Sequence, residues 1–317
     1  MKVSFQKAVE LLKQGKIVAL PTETVYGIAA CLNQLEGIQN IFKVKGRPLI
    51  NPLIIHLACF EDLGDYVTHI PAKFKELSDA FWPGPLTCIL PIKIEKIPSI
   101  VRANLLTGGF RIPDSTIVRE LIRNTGPLVM PSANLSGKPS ATQVEHVEND
   151  FGEGFPVLDG GRCTNGVEST IIGLDEQKKW VILRLGAIAP ECFKQILGYV
   201  PRVIEKSSQS DVLPLCPGQL LRHYAPKAKI YLGEEDKLRL CSHILGFYER
   251  DYSAFRGKKV VYLGSDKNPK QVAENLYDIL RQLDVEHVEH VWVDNDFPLD
   301  GLWLTIDERL KRASNND

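Results

Sequence analysis

Residues 16–27, KIVALPTETVYG, decide how the rest of the chain reads. KIVAL has the length and apolar content of a buried strand, and the polar PTETVYG follows it with no helix between. Thr22, Glu23 and Thr24 therefore stand at a strand end, where open α/β sheets collect ligands. Towards the N-terminus, residues 5–15 carry helical spacing through Phe5, Val9, Leu11 and Leu12, with Gly15 at the expected helix C-terminus. Towards the C-terminus come a helix around GIQNIFKVK, the strand PLIIHL, a helix PAKFKELSDAFW opened by Pro71, and the strand LTCILPI. FRIP, the helix STIVRELIRN and the strands PLVMPSAN, STIIGL and WVILRL complete residues 1–200. The alternation is irregular and several strand ends carry proline. It predicts an α/β fold with a twisted, open mixed sheet and helices.

Residues 201–228 have the composition of a tether, with four prolines, a Ser-rich stretch and no helical period. Beyond it, KIYLG, KKVVYLGS and HVEHVWVD read as strands. Helices are expected around 234–248, in KQVAENLYDILRQL and in LWLTIDERLKRA. That order, βαβαβα, predicts a small Rossmann-like parallel α/β domain over 229–317.

The length of 317 residues suits two domains. Apolar residues at 44% and charged residues at 24% exclude a disordered chain. Lys plus Arg number 38 against 39 Asp plus Glu, and residues 1–200 carry 21 basic and 20 acidic side chains. That balance argues against strong direct nucleic-acid binding and leaves an enzyme or a binding protein for something small. No stretch approaches the roughly 18 apolar residues of a membrane span, and the N-terminal MKVSFQKAVELLKQGK lacks a signal-peptide core. A cytoplasmic protein with no membrane partner is expected. The seven cysteines are odd in number, scattered and never CxxC-paired, so they are expected to be reduced thiols buried as small hydrophobes. His287 and His290 lack a partner at ligand spacing, and no metal site is expected.

No GxxxxGK[ST] loop, GxGxxG turn, GxSxG elbow or HExxH helix occurs. Polar side chains instead gather where strands begin or end: Thr24 after KIVAL, then Lys45, Arg47 and Asn51 before PLIIHL, with His56 inside it. Thr107 and Arg111 flank GGF, Ser132 and Asn134 follow PLVMP, Ser169 opens STIIGL, and Arg184 lies within VILRLGA. Each cluster alone also reads as a turn or a solvated loop. Arginines inside apolar runs are more informative, because a guanidinium on a core strand requires an anionic or hydrogen-bonding partner. Hydroxyls beside Lys and Arg suit a polyoxygen anion.

LPTETVYGIAA, KGRP, NPLIIH, WPGPLT, FRIPDS, PSANLSGKPSAT, VESTII and LRLGAI, in this order, resemble the YrdC-type threonylcarbamoyl-adenylate synthases. PGQLLRHYAPKA followed by a small α/β domain is similar to their longer, two-domain form, so the resemblance covers essentially the whole chain. It implies a nucleotidyltransferase that joins L-threonine, bicarbonate and ATP into threonylcarbamoyl-AMP and pyrophosphate, with Mg²⁺ in use. The product would pass to a tRNA threonylcarbamoyl transferase complex for the modification of tRNA. By motif, Thr24, His56, Arg111, Met130 and Ser169 match L-threonine positions, and Arg47, Asn51, Thr107, Ser132, Ser140, Arg184 and Tyr224 match ATP positions. Lys45 and Arg47, in one KxR element, are the expected catalytic cations, and the tether is expected to lie over the site. Two other readings remain open at this level: a carbamoyl-adenylate former of a maturation pathway, and a double-stranded-RNA-binding module.

Overall fold

A computed structural model describes residues 1–204, 216–217 and 224–314. Of the tether, residues 205–215 and 218–223 lie outside the described residues.

Eight strands build the larger sheet: β1 (Val18–Leu20), β2 (Gly27–Cys31), β3 (Ile54–His56), β4 (Leu86–Pro91), β5 (Thr107–Arg111), β6 (Leu128–Val129), β7 (Thr170–Leu174) and β8 (Trp180–Arg184). Their order is β1-β2-β6-β3-β5-β4-β7-β8. Only β3 with β5 and β4 with β7 run parallel, so the sheet is mixed. Seven helices accompany it: α1 (Phe5–Lys13), α2 (Leu35–Lys45), α3 (Phe74–Phe81), α4 (Ser99–Arg102), α5 (Thr116–Thr125), α6 (Val144–Phe151) and α7 (Lys194–Leu197). The smaller sheet is wholly parallel, in the order β11-β10-β12-β9, from β9 (Lys229–Leu232), β10 (His243–Phe247), β11 (Lys259–Gly264) and β12 (His290–Val293). It is completed by α8 (Pro269–Val285) and α9 (Trp303–Ser314).

Thr22 closes the turn after β1: its hydroxyl donates to Val25 O at 2.6 Å and accepts from Val25 N. The polar stretch is thus a largely buried hairpin loop that returns the chain as β2, with Leu20 opposite Gly27. Its small residues, GIAAC, are buried throughout and show neither period, which is why β2 is not legible as a strand in the sequence. The helix expected over 234–248 is not formed. Glu235–Leu240 is a short 3-10 turn, and His243–Phe247 is a fourth strand paired with both β11 and β12. A central parallel strand is covered on both faces, so the buried run ILGF is continuously non-polar and its periodicity cannot separate strand from helix. The helix expected from Pro71 begins at Phe74, after Lys73 takes a left-handed φ of 65°. The cysteines are not all buried: Cys192 is exposed and Cys59 half-buried. Among the described residues no helix is long and apolar enough to cross a membrane.

The two domains share one of the hydrophobic cores, which the first reaches through loop residues. Val25 and Val167 from the first pack with Leu276, Tyr277, Leu280 and Ile306 of α8 and α9. Gly166, at φ +68°, permits this approach; a Cβ there would collide with the Ala273 carbonyl and Glu274 Cα. The smaller domain therefore docks on segment 166–169, which also reaches the candidate site.

Candidate active site

A cavity opens over β3 and is lined by Thr24, Val25, Arg47, Leu53, Ile54, His56, Arg111, Met130, Pro131, Ser132, Glu168, Ser169, Arg184, Pro217 and Tyr224. Strand pairing explains the convergence: His56 and Arg111 are the last residues of β3 and β5 and stand opposite each other in register. Arg184 ends β8, opposite Ile171, which brings it to Ser169 at the mouth of β7. Met130 N donates to Ile54 O, which seats the 130–132 segment beside β3.

At one end, Arg111 donates from Nη2 to Glu23 Oε1 at 2.5 Å and to Thr24 Oγ1 at 3.0 Å, and from Nε to Gly84 O. Its Nη1 has no partner among the described residues, so one arm of the fork remains available to a carboxylate. Burial, reinforced by the Arg111 charge, holds the His56 pKa well below its ordinary 6.5. Its Nδ1 lies 3.2 Å from Ile54 O, which can only accept, so Nδ1 carries the proton and Nε2 presents a lone pair. His56 should consequently stay neutral through the usual imidazole range. Ring NMR shifts followed with pH test this, and a protonation step near pH 6.5 would contradict it.

At the other end, Arg184 donates to Ser169 O at 2.8 Å, to Ser169 Oγ at 3.1 Å and to Pro217 O at 3.4 Å. Arg47 donates to Asn51 O at 3.1 Å, Asn51 Oδ1 at 2.7 Å and Pro52 O at 2.7 Å. Both guanidiniums are buried, and among the described residues neither makes an ion pair with a carboxylate. Burial, with the nearby Arg184 charge, lowers the Arg47 pKa to about 9. Two desolvated cations held open by neutral acceptors form a site for an anion with several oxygens.

Four residues expected from sequence fall outside the cavity wall. Asn51 orients Arg47, and Ser140 is buried with its hydroxyl donating to Glu168 Oε1 at 2.5 Å. Thr107 opens β5, four residues and roughly 13 Å from Arg111. It lines a neighbouring cleft with Gly108 and Gly109 that shares Leu53 and Pro217 with the main cavity. Lys45 points its ammonium at the Ser132 and Asn134 carbonyls, so it braces the 132–134 loop. Burial beside Arg47 pulls its pKa down. Lys45→Met would leave two carbonyls without their donor, at about 1–3 kcal/mol each; urea unfolding should show the loss. Glu168 was not singled out in the sequence. The available signal is an acidic residue directly before a buried strand, in VESTII.

A mixed α/β domain whose cavity is lined by three buried arginines, with a parallel α/β domain docked beside it, is an anion-binding protein of the α/β class. Residues 10–186 match the Sua5, YciO and YrdC family model, described as Telomere recombination. Residues 188–315 match the model described as Threonylcarbamoyl-AMP synthase, C-terminal domain. The threonylcarbamoyl-AMP synthase of Bacillus subtilis is 36% identical, covering 97% of this chain and 92% of its own. That of Pyrococcus abyssi is 37% identical, covering 97% and 93%. The crystal structure of P. abyssi Sua5 complexed with L-threonine superposes with a TM-score of 0.88 at 33% identity, over 99% of this chain and 96% of that one. The chain belongs to the two-domain threonylcarbamoyl-AMP synthase family.

Proposed function

We propose that this protein is a nucleotidyltransferase that makes threonylcarbamoyl-AMP from L-threonine, bicarbonate and ATP. The observation that carries the reading is one cavity with two cationic ends, Arg111 at one and the Arg47–Arg184 pair at the other. Arg111, whose Nη1 has no partner among the described residues, takes the threonine carboxylate. His56 Nε2 and the hydroxyls of Thr24 and Ser169 face its polar groups, and Met130 supplies backbone. Arg47 and Arg184 hold the phosphates, aided by Asn51 and Ser132. The adenosine runs past Tyr224 towards the glycine-floored cleft at Thr107.

Bicarbonate takes up a proton and loses water to give CO₂; the threonine amine adds to its carbon and loses a proton, giving a carbamate. A carbamate oxygen then attacks the α-phosphorus, its bond to the β-phosphate bridging oxygen breaks, and pyrophosphate leaves. Such displacement needs alignment and cations rather than a covalent enzyme intermediate. Among the described residues no three His, Cys, Asp or Glu side chains converge on a metal position. Glu23 and Glu168 already accept from Arg111, Ser140, Tyr277 and Arg309. The donor set therefore does not fit a protein-held ion, and Mg²⁺ belongs with ATP as part of the substrate.

Residues 1–200 act as the synthase domain, 201–228 as the tether over the site and 229–317 as the small domain, in a cytoplasmic enzyme whose product goes to a tRNA threonylcarbamoyl transferase complex. The test is pyrophosphate release from ATP with and without L-threonine and bicarbonate. Release that requires both supports the reading, and release indifferent to threonine overturns it.

A further inference from the structure

Two residues of the cavity wall are held from the smaller domain. Arg309 of α9 is fully buried, yet the helix that carries it is otherwise an ordinary amphipathic element. Its Nε donates to Glu168 Oε2 and Tyr277 OH, each at 3.0 Å, and its Nη2 donates to Leu185 O at 2.8 Å. Its guanidinium also lies 4.6 Å from the Tyr224 ring centroid. Tyr277 of α8 stacks on the same ring, with centroids 5.4 Å apart, and its hydroxyl donates to Glu168 Oε2 at 2.9 Å. Glu168 in turn accepts the Ser140 hydroxyl.

Domain docking alone does not require this arrangement, because Arg281 with Asp150 already links the domains elsewhere. Tyr224 has φ +66°, a backbone state a large side chain keeps only where its surroundings over-determine it. The surroundings that do so include Arg309 and Tyr277. Burial and the Glu168 charge raise the Tyr277 phenol well above its ordinary pKa, so it remains a donor.

We propose that Arg309 and Tyr277 are positioning residues of the nucleotide end of the site, acting through the Tyr224 ring and the Glu168 carboxylate. The smaller domain thereby completes the cavity. By linkage, nucleotide binding and this part of the domain contact strengthen each other to the same degree. The proposal rests on the reading that Tyr224 faces ATP.

The test uses the full chain with Arg309→Lys and Tyr277→Phe. The first keeps the charge but loses the fork, and the second keeps the stacked ring but loses the hydroxyl. Arg309→Lys should raise the KM for ATP about tenfold, the size of a lost hydrogen bond to a charged group, and Tyr277→Phe should raise it about threefold. The KM for threonine should move by less than about twofold in both, since the Arg111 end is untouched. In a Tyr224→Ala background most of the Arg309→Lys effect should vanish, as expected for groups acting in series. Unchanged ATP KM in folded variants, or full additivity with Tyr224→Ala, overturns the proposal. A purely structural role, which also overturns it, would lower the fraction of folded protein while leaving both KM values alone. Binding of a fluorescent ATP analogue is measured in parallel. A wild type that ignores threonine then refutes the activity, while the analogue affinities still judge the positioning role.

Discussion

Arg184→Ala should lower threonine-dependent pyrophosphate release by about 10²–10³-fold, the effect of losing one preorganised donor at a charge-developing centre. Arg184 is held by Ser169 O and Oγ and by Pro217 O, so its orientation exists before any ligand arrives. No carboxylate among the described residues neutralises it, and its charge helps depress Arg47. Negative charge placed between the two is therefore stabilised by both, in a site where water screens little. Arg184→Lys should recover only part of the rate, because an ammonium cannot reproduce the two-pronged contact. Stability should fall little, since the substitution also removes a desolvated cation repelling Arg47. Rate constants from pyrophosphate release and a thermal melt separate the two effects. A rate within threefold of wild type would remove Arg184 from the phosphate site.

Asp150→Ala should destabilise the protein by about 3–5 kcal/mol, the range for removing one member of a buried ion pair. The Asp150 side chain is 1% exposed and accepts from Arg281 Nη2 at 2.8 Å, Lys138 Nζ at 2.9 Å and Leu135 N at 3.2 Å. Arg281 also donates to Pro139 O and Ser140 O, so the pair joins α6 and α8 across the domain contact. Burial works against the carboxylate, yet Arg281 and Lys138 prevail and its pKa lies below the ordinary value. The sign follows: the folded pKa is below the unfolded one, so the stabilisation is full above the unfolded pKa. It is lost as pH falls through the folded pKa. Urea unfolding from pH 7 down into the acid range should show wild type beginning to lose this increment below the unfolded pKa and Asp150→Ala lacking it throughout. Equal slopes in the two proteins would refute it.

The strand KIVAL, the helices at 5–13 and 116–125, and the motif segments around the cavity are legible from local pattern. Arg111 and Arg184 stand out because charge within apolar runs is unusual, whereas Arg47, in KGRP, reads by itself as a solvated turn. Lys45 shares the KxR element with Arg47, but the helix ends between them at Gly46, whose left-handed φ of 60° redirects the chain. Lys45 ends α2 and reaches the 132–134 carbonyls, whereas Arg47, beyond Gly46, turns into the cavity. HILGF was misread because burial on both faces erases period.

In α9, Trp303, Ile306, Arg309, Leu310 and Ala313 share the buried face. The sequence by itself determines that helix, its apolar stripe and the presence of an arginine on it. It equally determines the two-domain division of texture and the ordered motifs of the family. What meets Arg309 is decided only by tertiary structure: Glu168 is 141 residues away and belongs to the other domain. Periodicity records the environment of each side chain, buried or solvated, because backbone geometry repeats locally. The pairing of one buried charge with another depends on how finished elements dock, and no local repeat encodes that.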